Sequence, residues 1–194
     1  MSDRLTKLTP ERVDARQAAL YERIAGGSRA KVGLQLADAE GGLLGPWNAY
    51  LHAPEIGELL EPVGVALRDA VRLAPRLREI AILASARYHR AQFEWFAHER
   101  IARAVGLEDL YIARIHRGED PAFEDPADAA VYAFAVELLE THEIGDSTWR
   151  TLCDQLAEQE RVELVLLLGH YALVSMVLNV FQVPLPEGEA PPFE

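Results

Sequence analysis

The stretch "REIAILASARYHRAQFEWFAHERIARAVG", residues 78–106, decides how this chain folds. Apolar residues recur at three- and four-residue spacing on both sides of "RYHR", which is the pattern of amphipathic helix. Glu79, Glu94 and His98 interrupt that apolar background. Glu94 and His98 are four positions apart, so one helix face presents both. The same spacing suits a surface ion pair, with Trp95, Phe96 and Ile101 as the core face. Glu79 lies fifteen residues before Glu94. In one unbroken helix that separation is about 22 Å, too far for shared chemistry. The three groups meet only if the chain reverses near residues 87–90, and "RYHR" holds neither Gly nor Pro to mark a reversal.

Outward from this stretch the helical period continues, and no segment alternates for more than a few residues. "TPERVDARQAALYERIAGG" predicts an N-terminal helix over about 9–25, with Thr9 as N-cap, Pro10 at the first helical position and Gly26-Gly27 as the stop. "LADAEGGLLGPWNAYLHAPEIGE" is loop-like, broken by Gly41, Gly42, Gly45, Pro46 and Pro54. Pro54 opens a helix to about Leu73 and Pro75 opens the next. Gly106 and Gly118 close two more, and further helices follow to a long apolar one over about 160–181. The expectation is an all-α bundle of seven or eight helices in a single domain spanning 1–194. It ends in an extended Pro-rich tail over about 182–194, lying on this subunit's surface or on a neighbour's.

The net charge of −12 argues against nucleic acid, whose affinity rests on clustered Lys and Arg. Cys153 is the single cysteine, so no internal disulfide and no cysteine metal site can form. The polar start "MSDRLTKLTPERVDARQ" carries no apolar signal segment. "VELVLLLGHYALVSMVLNVF" has about membrane length. Because it carries Glu163, His170 and Asn179, a central buried helix is expected rather than a span. The expected location is the cytoplasm. Apolar character nearly all round that helix, continued by Phe181, Val183 and Leu185, points to a homo-oligomer.

Other polar residues call for an account. Trp47 and Asn48 in "GPWNAYLH" either line a pocket from the glycine-rich loop or pack a turn. His170, Tyr171 and Asn179 sit in the most apolar helix, where buried polar groups need partners. His170 and Tyr171 are expected to satisfy core hydrogen bonds, with substrate contact the other reading. No His-Glu-x-x-His arrangement, phosphate-binding glycine loop or nucleophile elbow occurs. Neither a metal nor an organic cofactor is expected.

Taken in order, "GGLLGPWNAYLHAPEIGELL", "LAPRLREIAILASAR", "FEWFAHERIARAVGL" and "GHYALVSMVLNVFQVPLPEG" resemble the carboxymuconolactone decarboxylase family, whose all-helical fold includes the alkylhydroperoxidase AhpD. In the peroxidase branch a glutamate precedes a Cys-x-x-Cys-x-x-x-His segment. Position by position, Glu79 matches that glutamate and His98 the histidine, while Ala91 and Glu94 stand where the cysteines would be. Neither can form a sulfenic acid or a disulfide, so the resemblance does not extend to dithiol peroxidase chemistry. It implies that the two helices fold back and bring Glu79 to His98. It also implies a trimer or hexamer.

The decarboxylase branch moves protons at carbon without metal or organic cofactor, which needs an acid and a base with pKa values near neutrality. By that resemblance Glu79, Glu94 and His98 are candidate catalytic residues, and Trp47, Asn48 and Tyr171 candidate substrate-binding residues. Burial and mutual repulsion should raise one carboxylate and bias the imidazole towards its charged form. Arg87 and Arg90 are candidate cations for an acidic substrate. The leading expectation is a lyase, isomerase or hydrolase acting on a small organic molecule, a lactone or carboxylic acid. The alternatives are a non-catalytic small-molecule-binding or assembly protein on the same fold, and a residual peroxidase.

Overall fold

The reversal that brings Glu79 towards His98 occurs at Arg90. α4 (Pro75–His89) ends there with φ 54° and ψ 37°, in the left-handed region. The Arg90 and Ala91 amides turn back to the carbonyls of Arg87 and Ala86 at 3.1 and 2.9 Å. This is the hydrogen-bond pattern that glycine usually supports after a helix end. α5 (Gln92–Ala104) then starts two residues later and runs back along α4. A long, polar side chain at the capping position hides the turn from a search for Gly and Pro.

The computed structural model describes residues 4–27 and 36–194. Among them are nine α-helices, and the only β-pairing is one antiparallel bridge between Ala37 and Leu43. Before α4 come α1 (Ala15–Ala25), α2 (Trp47–His52) and α3 (Pro54–Asp69). After α5 come α6 (Asp109–Arg117), α7 (Pro126–Thr141), α8 (Asp146–Gln155) and α9 (Glu158–Val180). The helix beyond the expected eight is α2, one and a half turns set inside the segment read as loop.

Two helix boundaries differ from expectation for local reasons. α1 starts at Ala15 rather than near Thr9. Asp14 accepts from the Arg16 and Gln17 amides, and Gln17 Oε1 takes the Asp14 amide at 2.9 Å, a complete capping box. Residues 9–12 form a turn instead, closed by Arg12 N–H to Thr9 O. α3 stops at Asp69 because the loop into α4 is held by a side chain. Glu163 Oε2 accepts from the Arg72 and Leu73 amides at 2.8 and 2.9 Å. Burial alone would raise the Glu163 carboxyl, but those amides and Gln159 outweigh it and lower it.

α4 is the central helix, packed against α5, α6, α7 and α9, with Leu77 and every residue from Glu79 to Ala86 buried. α9 is central on one side only. Leu164, Leu167, Leu168, Val174 and Leu178 face the core, while Val162, Val165, Leu166, Met176 and Val180 are exposed. The expectation of a buried central helix over 160–181 is therefore corrected: no other helix covers its outer stripe among the described residues. By length and composition α9 could cross a membrane, with one third of its apolar window buried. A smaller cluster of Leu8, Leu20, Ile24, Leu43, Tyr50 and Leu51 joins the N-terminal segment to α1 and α2.

The tail after α9 lies on this chain's own surface. Phe193 reaches the main core, only 7% exposed, against Trp95 and His116.

Candidate active site

Glu79 sits on the buried face of α4, and Glu94 and His98 on the facing side of α5. The reversal at Arg90 lays the two helices side by side; Glu79 and Glu94 are buried and His98 keeps some exposure. His98 Nδ1 is 2.7 Å from Glu79 Oε2. Glu79 is 7% exposed, so the imidazole is aligned by a carboxylate largely removed from water. An Nδ1–H donating to Glu79 leaves Nε2 as the basic ring nitrogen. Tyr171, from α9, stands edge-on to the imidazole with ring centroids 4.9 Å apart.

Glu94 is 2% exposed. Its Oε1 accepts from Ser175 Oγ of α9 at 3.1 Å, and its Oε2 has no hydrogen-bond partner among the described residues. Burial pushes its carboxyl well above the ordinary carboxylate range; Glu79 adds to the rise and the Ser175 hydroxyl opposes it. Glu94 is thus a neutral carboxylic acid over a range of pH where surface glutamates are ionised. A neutral acid can donate a hydrogen bond or a proton, which a carboxylate cannot.

Glu94 and His98 line one cavity of about 370 Å³, while Glu79 is not part of its wall and meets it only through His98. Trp47, Phe93, Phe96, Val174 and Leu178 supply apolar wall, and Tyr171 and His170 supply polar edges. An apolar cleft with a few convergent polar groups of shifted pKa is the usual form of a small-molecule site. Among the described residues no group of three His, Cys, Asp or Glu side chains could hold a metal ion. What the arrangement can do is move protons.

The other sequence candidates fall on both sides of this cavity. Trp47 and Tyr171 line it. Asn48 does not: its Oδ1 accepts from the Leu8 amide at 3.0 Å and its Nδ2 donates to Thr6 O at 3.1 Å. Asn48 thereby fastens the N-terminal segment to α2. Arg87 and Arg90 are also elsewhere. Arg87 reaches Arg117 O at 3.5 Å, and Arg90 reaches the Glu194 carbonyl. The cavity's cations are Arg68 and Arg100. Arg100 lies over the Phe96 ring at 3.8 Å and donates to Phe96 O and to Glu189 Oε1 at 2.7 and 3.0 Å.

Arg100 escaped sequence reasoning because it is about 200° round α5 from His98, and only its length brings it to the same cavity. Ser175 left a clearer signal, a hydroxyl in an apolar helix that had to find a partner. Cys153 lies on α8 beside the Arg161 guanidinium, outside the cavity wall.

The nine helices form the AhpD-like all-α fold. The chain is similar to an uncharacterized peroxidase-related protein with an alkylhydroperoxidase AhpD core from Ralstonia eutropha JMP134. The TM-score is 0.75 at 14% identity, over 97% of each chain. It is also similar to a protein of unknown function from Agrobacterium tumefaciens, with TM-score 0.65, 17% identity, and coverage of 72% of this chain and 96% of that one. A third likeness is to the debrominase Bmp8 in complex with 2,3,4-tribromopyrrole, with TM-score 0.71 and 14% identity over 99% of this chain and 95% of that one. No family model and no curated sequence matches the chain. At these identities the likeness concerns the fold.

Proposed function

We propose that this chain is a cofactor-independent acid–base enzyme, a lyase, isomerase or hydrolase, acting in the cytoplasm on a small lactone or carboxylic acid. The observation that carries the reading is the meeting of a carboxylate-aligned histidine and a neutral glutamic acid in one apolar cavity. Each needs the other's environment: the base must be free to accept, and the acid must hold its proton at the same pH.

In this reading His98 Nε2 takes a proton from carbon next to a carbonyl. Glu79 accepts the Nδ1–H bond and stabilises the imidazolium that forms. Glu94 donates a hydrogen bond to the carbonyl oxygen as it gains charge, and water exclusion strengthens that bond. Return of the proton from His98 to carbon completes an isomerisation. Where a carboxylate leaves as carbon dioxide, its bonding electrons form the same enolate, and His98, entering this branch as imidazolium with a proton taken from solvent, delivers its Nε2 proton to the carbon. Trp47 and Tyr171 hold the substrate's apolar face, and a substrate carboxylate would compete with Glu189 for Arg100.

Dithiol peroxide reduction is not part of the proposal, since Ala91 and Glu94 occupy the positions that the resemblance assigns to thiols and one cysteine cannot form an internal disulfide. A variant of the debrominase Bmp8 is found in complex with 2,3,4-tribromopyrrole, which supports a cavity of this fold taking a small organic molecule.

The test is proton exchange. Incubation with small lactones and β-keto acids in deuterated water, followed by proton nuclear magnetic resonance, should show loss of the signal next to the carbonyl. His98→Ala and Glu94→Gln should each abolish that loss while circular dichroism stays unchanged. Exchange retained in both variants would defeat the acid–base assignment. A second reading, a non-catalytic binding protein, is favoured by the fact that Glu79 and Ser175 already engage His98 Nδ1 and Glu94 Oε1 within the protein. It predicts ligand binding with no exchange in the parent protein.

A further inference from the structure

We infer that residues 186–189 of the C-terminal tail form a wall of the Glu94–His98 cavity that limits the size of ligand admitted, and that Phe193 is the positioning residue that holds this wall in place. The inference rests on the proposal that a small molecule occupies this cavity, though not on the chemistry done there.

The tail is built as a strap fixed at both ends. At its start, Gln182 adopts a left-handed conformation with φ 49°, and the Val183 amide returns to Leu178 O at 3.0 Å. The chain thereby leaves the axis of α9 and turns across α5. Pro186, Glu187 and Glu189 then contribute directly to the cavity's lining. A turn closed by Glu189 N–H to Pro186 O, with Gly188 at φ 86°, presents these three residues together.

Over the cavity itself the strap is held lightly. Its side-chain tie there is Glu189 to Arg100 at 3.0 Å, an ion pair whose partners are each more than a third exposed. Such pairs contribute little. The firm attachment is at the far end. Phe193 is buried, stacked on His116 with centroids 5.0 Å apart and edge-on to Trp95 at 5.5 Å. Gln92 clamps the Phe193 backbone from both sides, donating to its carbonyl at 2.7 Å and accepting from its amide at 2.9 Å. His116 Nε2 lies 2.9 Å from Pro192 O.

Gln92 and Trp95 stand on α5, the helix that carries Glu94 and His98. The anchor therefore references the wall to the site it bounds. Pro184, Pro186, Pro191 and Pro192 restrict the strap's own torsions, so fixing its ends fixes its middle. Freeing Phe193 should release the wall without touching the groups at the cavity floor.

The experiment measures the affinities of uncharged aromatics of rising size, namely phenol, naphthol and pyrenol, by isothermal titration. Limited proteolysis of residues 186–194 reports separately whether the strap is released. In the intact protein the smaller rings should bind and pyrenol should be disfavoured. In Phe193→Ala the pyrenol-to-phenol affinity ratio should rise by at least about tenfold, as the strap becomes protease-sensitive. Gln92→Ala, which keeps the ring but removes the clamp, should move both readouts the same way and serves if Phe193→Ala does not fold. A released strap with the affinity ratio unchanged overturns the inference, and so does an intact protein that binds none of the three aromatics. Glu94→Gln should lose proton exchange yet keep the parent's size limit, so failure of the acid–base reading and failure of this one are seen in different measurements.

Discussion

His98 Nδ1 stands 2.7 Å from Glu79 Oε2, and this contact orients the imidazole. Toward an ionised Glu79 the near nitrogen donates, which in a neutral ring leaves Nε2 to accept. The partner carboxylate comes from nineteen residues earlier in the chain, on the helix that forms the centre of the core. Glu79→Gln keeps the size of the side chain but removes its charge. It should slow proton exchange about 100-fold, the scale of a lost acid–base contribution. The thermal midpoint should change far less than the rate. Unchanged exchange in Glu79→Gln would mean that the contact is only structural.

Stability should depend on pH through Glu94. The ordinary carboxylate value is 4.5, and burial first, with Glu79 second, holds the folded value well above it. Between the two values the unfolded chain binds fewer protons than the folded one. This group's stabilising contribution is therefore complete below 4.5 and is lost as pH rises through the folded value. Glu94→Gln cannot ionise, so its stability relative to the parent should improve as pH rises from mildly acidic to mildly alkaline. Urea denaturation at both ends of that range checks the sign. A parent-minus-variant difference that does not vary with pH would rule out a neutral Glu94.

Ser175→Ala removes the donor to Glu94 Oε1 and leaves that oxygen buried without a partner. The expected loss is about 1–3 kcal/mol of unfolding free energy. Because the Ser175 hydroxyl holds the Glu94 carboxyl down, its removal should also shift the alkaline limb of the exchange–pH profile upwards. A shift to lower pH would contradict the assignment of that limb to Glu94.

Arg90 occupies a backbone conformation that costs a non-glycine residue roughly 1 kcal/mol. Comparing Arg90→Gly with Arg90→Ala separates that strain from the loss of the side chain's contacts with Phe193 and Glu194. The glycine variant should be the more stable of the two by about 1 kcal/mol in chemical denaturation. Equal stabilities would mean that the turn is not strained at this position.

Self-association should involve the outer face of α9. Val162, Val165, Leu166, Met176 and Val180 form an exposed apolar stripe, and Ile56, Leu59 and Val63 of α3 add a second. Light scattering should give the mass of a homo-oligomer, and Leu166→Glu should reduce it with the helical content intact. A monomeric parent protein would remove self-association from the account.

Several helix boundaries and the missing thiols were legible in the residues. Helical period, proline starts at Pro54 and Pro75 and glycine stops at Gly106 and Gly118 are local properties, and each marked an element that exists. The replacement of both thiols by Ala91 and Glu94 was equally visible once the resemblance was drawn. Thr9-Pro10 carried the capping signal for the first helix, and only the hydrogen bonds place the cap at Asp14 instead.

Other features had no local signal. The turn at Arg90 is a backbone conformation imposed by packing α5 on α4, in a residue whose chemistry does not favour it. The neutral state of Glu94 depends on burial among distant segments, and it holds against the opposing hydrogen bond from Ser175 of α9, eighty-one residues away. Arg100 reaches the cavity by its length rather than by its place on the helix, and Asn48 is drawn off by the N-terminal backbone. Short-range pattern determines where helices begin and which face is apolar, because those energies act over a single turn. Which polar groups share one enclosed space, and at what protonation, depends on desolvation and on contacts between distant segments. The folded chain alone supplies those.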